Sequence, residues 1–268
     1  MSRAALDDGK AFVLRLGILM PDWSLVADPV AREALGTSMI VAGRAEKWSG
    51  LSATEDQVWR AILRGFARSG RAPDTAQLAV RTGLDEGAVA PVLRALHWRD
   101  LVVLDADRTS VAATYPLSAR ATGHVVRLAS GTVVNALCAI DALGIATMLG
   151  CDTAIKSPCR QCGVPVRITT RGDGHALGSV MPSTALVWSG TWYADNCSAT
   201  SGCTLKVFFC SDDHLAAWRE RSDRDGPGFR LSVDAALQVG GALFVPMLAT
   251  GADAIPEGLN RRRPTTSS

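Results

Sequence analysis

The sequence predicts an α+β fold, with a helical N-terminal part followed by a mixed β-sheet and helix core. Two patterns carry this reading. Between residues 54 and 98, apolar residues recur at helical spacing. From residue 101 onward, short runs rich in β-branched and aromatic residues predict strands. Among those strands lies the stretch 135–143, apolar on nearly every side, which predicts a helix buried in a core.

The chain has 268 residues, of which 47% are hydrophobic, so it can bury a sizeable core. A formal net charge of +2 argues against a nucleic-acid carrier and against a polybasic membrane binder. Asp7 and Asp8 precede the first apolar run and Arg15 interrupts it, which does not suit a signal peptide. No stretch reaches the roughly 18 uncharged apolar residues of a spanning helix. The expectation is a cytoplasmic protein with reduced thiols and no membrane partner.

The elements follow in order. Residues 1–50 read as an N-terminal extension packed on the next domain. Within it, 11–20 suits a helix or a strand, and 28–35 a short helix with Pro29 near its start. Residues 51–128 read as a winged-helix-like domain. Val58, Trp59, Ile62, Leu63 and Phe66 mark its first helix. Asp74 caps a second that Gly83 ends, and Asp85 opens a third carrying Val89, Val92, Leu93 and Leu96. A strand at 101–104 follows. The third helix begins with Asp85 and Glu86 and has Arg94 as its one full positive charge. A recognition helix contacts bases and phosphates with basic and amide side chains, so nucleic acid is not an expected partner.

Residues 129–255 read as the catalytic core. Strands are expected ahead of it at 109–114 and 124–128, and within it at 164–170, 179–181, 185–188 and, most strongly, 204–210. Ser211 caps a helix over 212–221 whose acidic first turn suits the helix dipole, and Ser232 caps a last apolar helix to about residue 243. Residues 256–268 read as a disordered polar tail.

The seven cysteines all lie between positions 138 and 210, an odd count that argues for metal or thiol chemistry rather than a disulfide framework. Cys138 and Asp141 stand three positions apart on one helix face. A buried carboxyl there is costly unless paired, protonated or used. Cys159-Arg160-Gln161-Cys162 is a C-x-x-C in a turn, and Cys197 and Cys203 flank a polar loop. Cys159, Cys162, Cys197 and Cys203 offer four thiolates to a structural zinc, although the second pair is spaced more widely than usual. Cys151 and Cys210 suit small core hydrophobes. Joined instead with one thiol from the second half, Cys138 and Asp141 offer two soft-metal ligands beside a proton carrier. Those parts suffice to cleave a metal–carbon bond.

At these residues the chain resembles the alkylmercury lyase family. The likeness rests on Leu137-Cys138-Ala139-Ile140-Asp141-Ala142-Leu143, on Ser157-Pro158-Cys159 with Gly163-Val164-Pro165-Val166, and on Cys203 with Val207-Phe208-Phe209 and Trp218. It covers residues 54–250, and the family's N-terminal winged-helix-like domain matches 54–105 in type and order. The resemblance implies that Cys138 and Cys203 are the catalytic thiols and bind mercury, that Asp141 carries the proton, and that Cys159 is structural. It implies an alkylmercury-lyase-like core, an organomercurial substrate, and mercury as substrate and product with no cofactor required. Low-molecular-weight thiols or a mercuric reductase would accept the Hg(II). The segment from Met181 to Cys203 is longer than the family's, so Cys197 competes with Cys203 as second thiol. The spacing to Phe208 favours Cys203. Cys162 and Cys197 are additions that, with Cys159, suit an extra zinc or soft-metal site. The alternative function is a non-enzymatic metal-responsive winged-helix regulator or a thiolate metal-binding protein. Asp141 argues against it, because a pure thiolate sensor needs no buried acid.

Overall fold

A computed structural model describes residues 11–221 and 226–250. The expected tail at 256–268 lies outside the described residues. Strands β1 (Phe12–Arg15) and β2 (Ile18–Met20) pair antiparallel, which answers the helix-or-strand question at 11–20. Helix α1 (Pro29–Val41) starts where Asp28 accepts a hydrogen bond from the Ala31 N–H and Pro29 fills the first turn. It runs beyond the expected 28–35, and the short α2 (Arg44–Trp48) follows.

Helix α3 (Ala53–Ser69) opens with a capping box, in which Ser52 and Glu55 satisfy each other's backbone N–H, and closes on Gly70 in the left-handed conformation. Its apolar face packs with α4 (Thr75–Thr82) and α5 (Glu86–Trp98). The Trp59 indole donates to the Thr114 hydroxyl at 2.9 Å and Thr114 donates to the Leu101 carbonyl at 3.0 Å, so α3 is tied to the strands that follow.

Those strands are β3 (Val102–Leu104), β4 (Val111–Thr114), β5 (Leu117–Ser118), β6 (His124–Leu128) and β7 (Val133–Ala136). After α6 (Ala139–Leu149) come β8 (Thr153–Pro158), β9 (Pro165–Arg171) and β10 (Ala176–Met181). All eight form one antiparallel sheet in the order β10-β9-β8-β6-β7-β5-β4-β3. In β8 and β9 buried and exposed residues alternate, as on a sheet with one wet face.

Next come β11 (Leu186–Gly190), a 3-10 turn (Gly202–Leu205), β12 (Lys206–Phe209), α7 (Asp212–Arg221), β13 (Gly228–Ser232) and α8 (Val233–Leu248). The smaller sheet runs β12-β11-β13. Every residue of β11 and β12 is buried. Helix α6 touches α8 and strands of both sheets, and nearly all its residues are buried.

The structure corrects the sequence reading at three places. Asn135 and Ala136 are strand, not helix, because β7 bonds β5 and β6, and Cys138 is the residue before the helix rather than one inside it. The strand expected over 204–210 begins at Lys206, since the residues before it close a 3-10 turn. The last helix continues past residue 243 to Leu248, with Pro246 inside its final turn.

Candidate active site

Cys138 is the N-cap of α6. Its backbone is extended, and its sulfur accepts a hydrogen bond from the Asp141 N–H at 3.4 Å, as a capping oxygen would. This geometry aims the thiol at the positive end of a helix. It also brings the Asp141 carboxyl, in the first turn, beside it. The third member arrives from the other sheet. Cys203 lies in the 3-10 turn before β12, and its thiol donates to Asp141 Oδ2 at 3.6 Å. The two sulfurs and a carboxylate oxygen lie within 4.8 Å of one another, and all three residues are buried.

Burial dominates the electrostatics. It raises the Asp141 carboxyl to about 6, against the opposing pull of Cys138, Arg44 and Lys206. It also pushes the Cys138 thiol well above its ordinary value, with Cys203 and Asp141 adding to the effect. The helix N-terminus favours a thiolate, but desolvation outweighs it. Near neutral pH the cluster therefore holds a protonated Cys138 next to an ionised carboxylate that can accept a proton.

Lys206 is the buried cation of the site. Its ammonium donates to the carbonyls of Gly190 at 3.3 Å and Gly202 at 3.1 Å, pinning both ends of the long loop between β11 and the 3-10 turn. Arg44 packs over the Trp48 ring at 4.6 Å. Arg44 and Lys206 line a crevice with Thr191, Trp192, Tyr193 and Gly202.

The same loop is held from the other side by Asp100. This buried carboxylate receives Tyr115 Oη at 2.9 Å, Tyr193 Oη at 3.2 Å, and the Ser198 hydroxyl and N–H at 2.9 and 3.1 Å. Tyr115 Oη in turn accepts the Ala199 N–H at 2.8 Å. Asp100 itself has φ 56°, a left-handed conformation that Asp tolerates better than most residues.

The predicted site residues thus divide. Cys138, Asp141 and Cys203 come together. Cys197 belongs to neither metal-competent cluster among the described residues and stands beside Asp100 and Asn196 at a separate surface hollow. Cys159 and Cys162 do come together, but with Cys210 and His214 rather than with Cys197 or Cys203. Cys210 is therefore not simply a core hydrophobe. The sequence reading missed Cys210, His214, Asp100, Lys206 and Arg44. For Cys210 and His214 a signal was present, because a Cys-x3-His pair follows the C-x-x-C in metal-ligand spacing. Nothing in the sequence marks Asp100, whose partners lie far along the chain.

Comparisons with known proteins agree on one family. Residues 117–245 match the family described as alkylmercury lyase (MerB). A curated alkylmercury lyase from Streptomyces lividans is 36% identical over 83 residues, covering 31% of this chain and 38% of the relative. The match thus spans well under half of that relative's length. A solved structure described as the mercury-bound form of MerB2 superposes with a TM-score of 0.65 at 23% identity, covering 81% of this chain and 99% of that one. It shows a shared fold. No described helix is long and apolar enough to cross a membrane.

Proposed function

We infer that this chain, which belongs to the alkylmercury lyase family, cleaves carbon–mercury bonds by protonolysis. The observation that carries the reading is the buried cluster of two thiols around one carboxyl, Cys138, Asp141 and Cys203. Mercury is substrate here, not a resident cofactor.

An organomercurial R–Hg–SR′ meets two soft sulfur ligands. As each Cys–S–Hg bond forms, a cysteine proton is released. One proton leaves with R′SH. The other passes to Asp141, whose Oδ2 already accepts from Cys203. Two thiolates raise electron density on the metal, and Asp141 then protonates the carbon as the C–Hg bond breaks. Overall, R–Hg–SR′ and two cysteine thiols give RH, R′SH and Hg(II) held by two cysteine sulfurs. Small thiols or a mercuric reductase then take the Hg(II). Burial serves this chemistry, because a carboxyl lifted to about 6 exchanges protons near neutral pH more readily than an exposed one.

Two further readings accompany this one. Helices α3, α4 and α5 with β3 and β4 form a winged-helix-like unit whose role is structural, since its third helix is acidic at its start. The enzyme works in the cytoplasm, where free thiols persist. The direct test is headspace methane from methylmercury with excess thiol. Wild type turns over, and Cys138→Ala, Asp141→Ala and Cys203→Ala do not. Absence of methane from folded wild-type protein, or full turnover by Asp141→Ala, would sink the reading.

A further inference from the structure

A second cluster lies outside the candidate active site. Cys159 and Cys162 occupy the turn between β8 and β9. Cys210 directly follows β12, and His214 sits in the first turn of α7. One ligand atom from each lies within 4.8 Å of the others. We propose that Cys159, Cys162, Cys210 and His214 bind one structural zinc ion, which staples the large sheet to the small one.

The donor set and its dimensions support this. Three thiolates and one imidazole form a common closed structural zinc set. With Zn–S near 2.3 Å, tetrahedral geometry places sulfurs about 3.8 Å apart and sulfur and nitrogen about 3.5 Å apart. Cys162 Sγ lies 3.8 Å from Cys210 Sγ, and Cys159 Sγ lies 3.7 Å from His214 Nδ1. The Cys210 Sγ to His214 Nδ1 edge is shorter, at 2.9 Å, and must widen around an ion.

The backbone is built for a metal-bound sulfur. Backbone N–H groups of Gln161, Cys162 and Cys210 lie close enough to Cys159 to favour its thiolate, and donors of this kind stabilise a ligating sulfur. Gly163 takes φ 75°, which lets the turn fold back so that its N–H meets the Cys159 carbonyl at 2.9 Å. Chain spacing agrees, because a C-x-x-C hairpin turn and a C-x3-H at a strand-to-helix joint each present two ligands in one direction. No pair among these cysteines is disulfide-bonded.

The two ligand pairs come from different sheets. Apart from the cluster, Arg160 N–H to Phe208 O at 2.8 Å is a backbone bond across this seam. Strand β12, which carries that carbonyl, continues back to Cys203 in the 3-10 turn. A zinc staple here fixes the element that delivers the second thiol. Hg(II) favours two soft sulfurs, whereas a closed set of three sulfurs and a nitrogen suits Zn(II).

The test uses the full chain and the metals alone. Elemental analysis of purified protein, with Zn(II) added back to metal-stripped protein, should give one zinc per chain. Co(II) in its place should give the visible bands of a tetrahedral sulfur-ligated site. Cys162→Ala, at the exposed turn, and His214→Gln should each lower zinc affinity at least tenfold, whereas the Cys138→Ala, Cys203→Ala double variant should keep one equivalent. Circular dichroism identifies any variant that fails to fold, and the wild-type Co(II) spectrum decides the matter without variants. Folded wild type that binds no zinc overturns the proposal. So does zinc lost with Cys138 and Cys203 rather than with Cys162, or a site that takes Cu(I) or Hg(II) while rejecting Zn(II). None of these readouts depends on lyase turnover.

Discussion

Cys203 Sγ donates to Asp141 Oδ2 at 3.6 Å across 62 residues of chain, joining the turn before β12 to the first turn of α6. Asp141 thereby engages both thiols, its carboxylate accepting from Cys203 and its backbone N–H donating to Cys138 Sγ at 3.4 Å. In the proposed mechanism this arrangement separates metal capture, by sulfur, from proton delivery, by oxygen. Asp141→Asn keeps the shape and both thiols but cannot accept and return a proton. Its turnover of methylmercury should fall by about 10² to 10⁴, the usual contribution of a positioned acid–base group. Binding of Hg(II), read by isothermal titration, should stay within a few-fold of wild type. Equal loss of binding and turnover would mean that Asp141 is a ligand or a structural residue instead.

The rate should follow the same carboxyl through pH. Asp141 accepts a thiol proton only when ionised, and burial raises its titration to about 6. The kcat/KM profile should therefore rise with pH through about 6 and then level. The acid limb belongs to the free enzyme. A limb near 4, where an ordinary aspartate titrates, would show that burial does not set the site's acidity.

Stability should carry a matching signature. Asp141 titrates at about 6 in the folded chain against an ordinary 3.8, so between those pH values the native state binds more protons. Its contribution is full below the lower value and is lost as pH rises through about 6. His124 works in the opposite sense. Burial, aided by Arg160, lowers it from 6.5 to about 4, so the stability of its neutral form is lost as pH falls through that window. The wild type should show these slopes partly cancelling. Asp141→Asn should expose the His124 slope and gain on the wild type by on the order of 2–3 kcal/mol between pH 4 and pH 7. Parallel denaturation curves for the two proteins across that range would contradict the shift at Asp141.

The sequence made half of this site legible. Cys138 and Asp141 could be read as a pair because they are three residues apart, and local spacing survives an error in the element itself. The stretch before Cys138 is strand, and a short apolar run does not distinguish strand from buried helix. What decides it is pairing with β5 and β6, a tertiary fact. Cys203 was harder, since choosing it over Cys197 depends on where a long loop is pinned. The pins are Lys206 on Gly190 and Gly202, and Asp100 on Ser198. From the sequence alone Cys210 suits a small core hydrophobe. Its partners lie on another sheet, and only the fold brings them near.

Asp100 should control the loop without touching substrate. It accepts from Tyr115, Tyr193 and Ser198, all at 3.3 Å or less. Asp100→Ala leaves these donors buried and unpaired, at about 1–3 kcal/mol for the most buried group alone. Thermal unfolding should shift down by several degrees, roughly 2–4 °C per kcal/mol for a chain of this size. Limited proteolysis should open within residues 191–202 first. Unchanged protection of that segment in a destabilised variant would show that the network supports the core and not the loop.

The helix on which Cys138 and Asp141 ride should be equally sensitive to its packing. Helices α6 and α8 meet backbone to backbone at Gly144 and Gly240. A methyl group on Gly240 would sit 2.8 Å from both Gly144 N and Ile140 O, and one on Gly144 would sit 2.3 Å from Phe244 Cδ2. Neither clash at Gly240 involves a flexible side-chain end, so relief requires the helices to separate. Overpacking of this kind costs about 1–3 kcal/mol, against a gain of up to about 1 kcal/mol from replacing helical Gly by Ala. Gly240→Ala should therefore destabilise the protein. Displacing α6 should also lower turnover, because the Cys138–Asp141 edge moves relative to Cys203. Gly241 provides the control one residue away. A methyl group there meets Thr147 Oγ1 at 3.6 Å and Leu25 Cδ1 at 3.8 Å, ordinary contacts. Gly241→Ala should be neutral or stabilising by up to about 1 kcal/mol, with wild-type turnover. Chemical denaturation of the two variants side by side tests the claim, since equal effects would mean that the Gly144–Gly240 approach does not set the spacing of the helices.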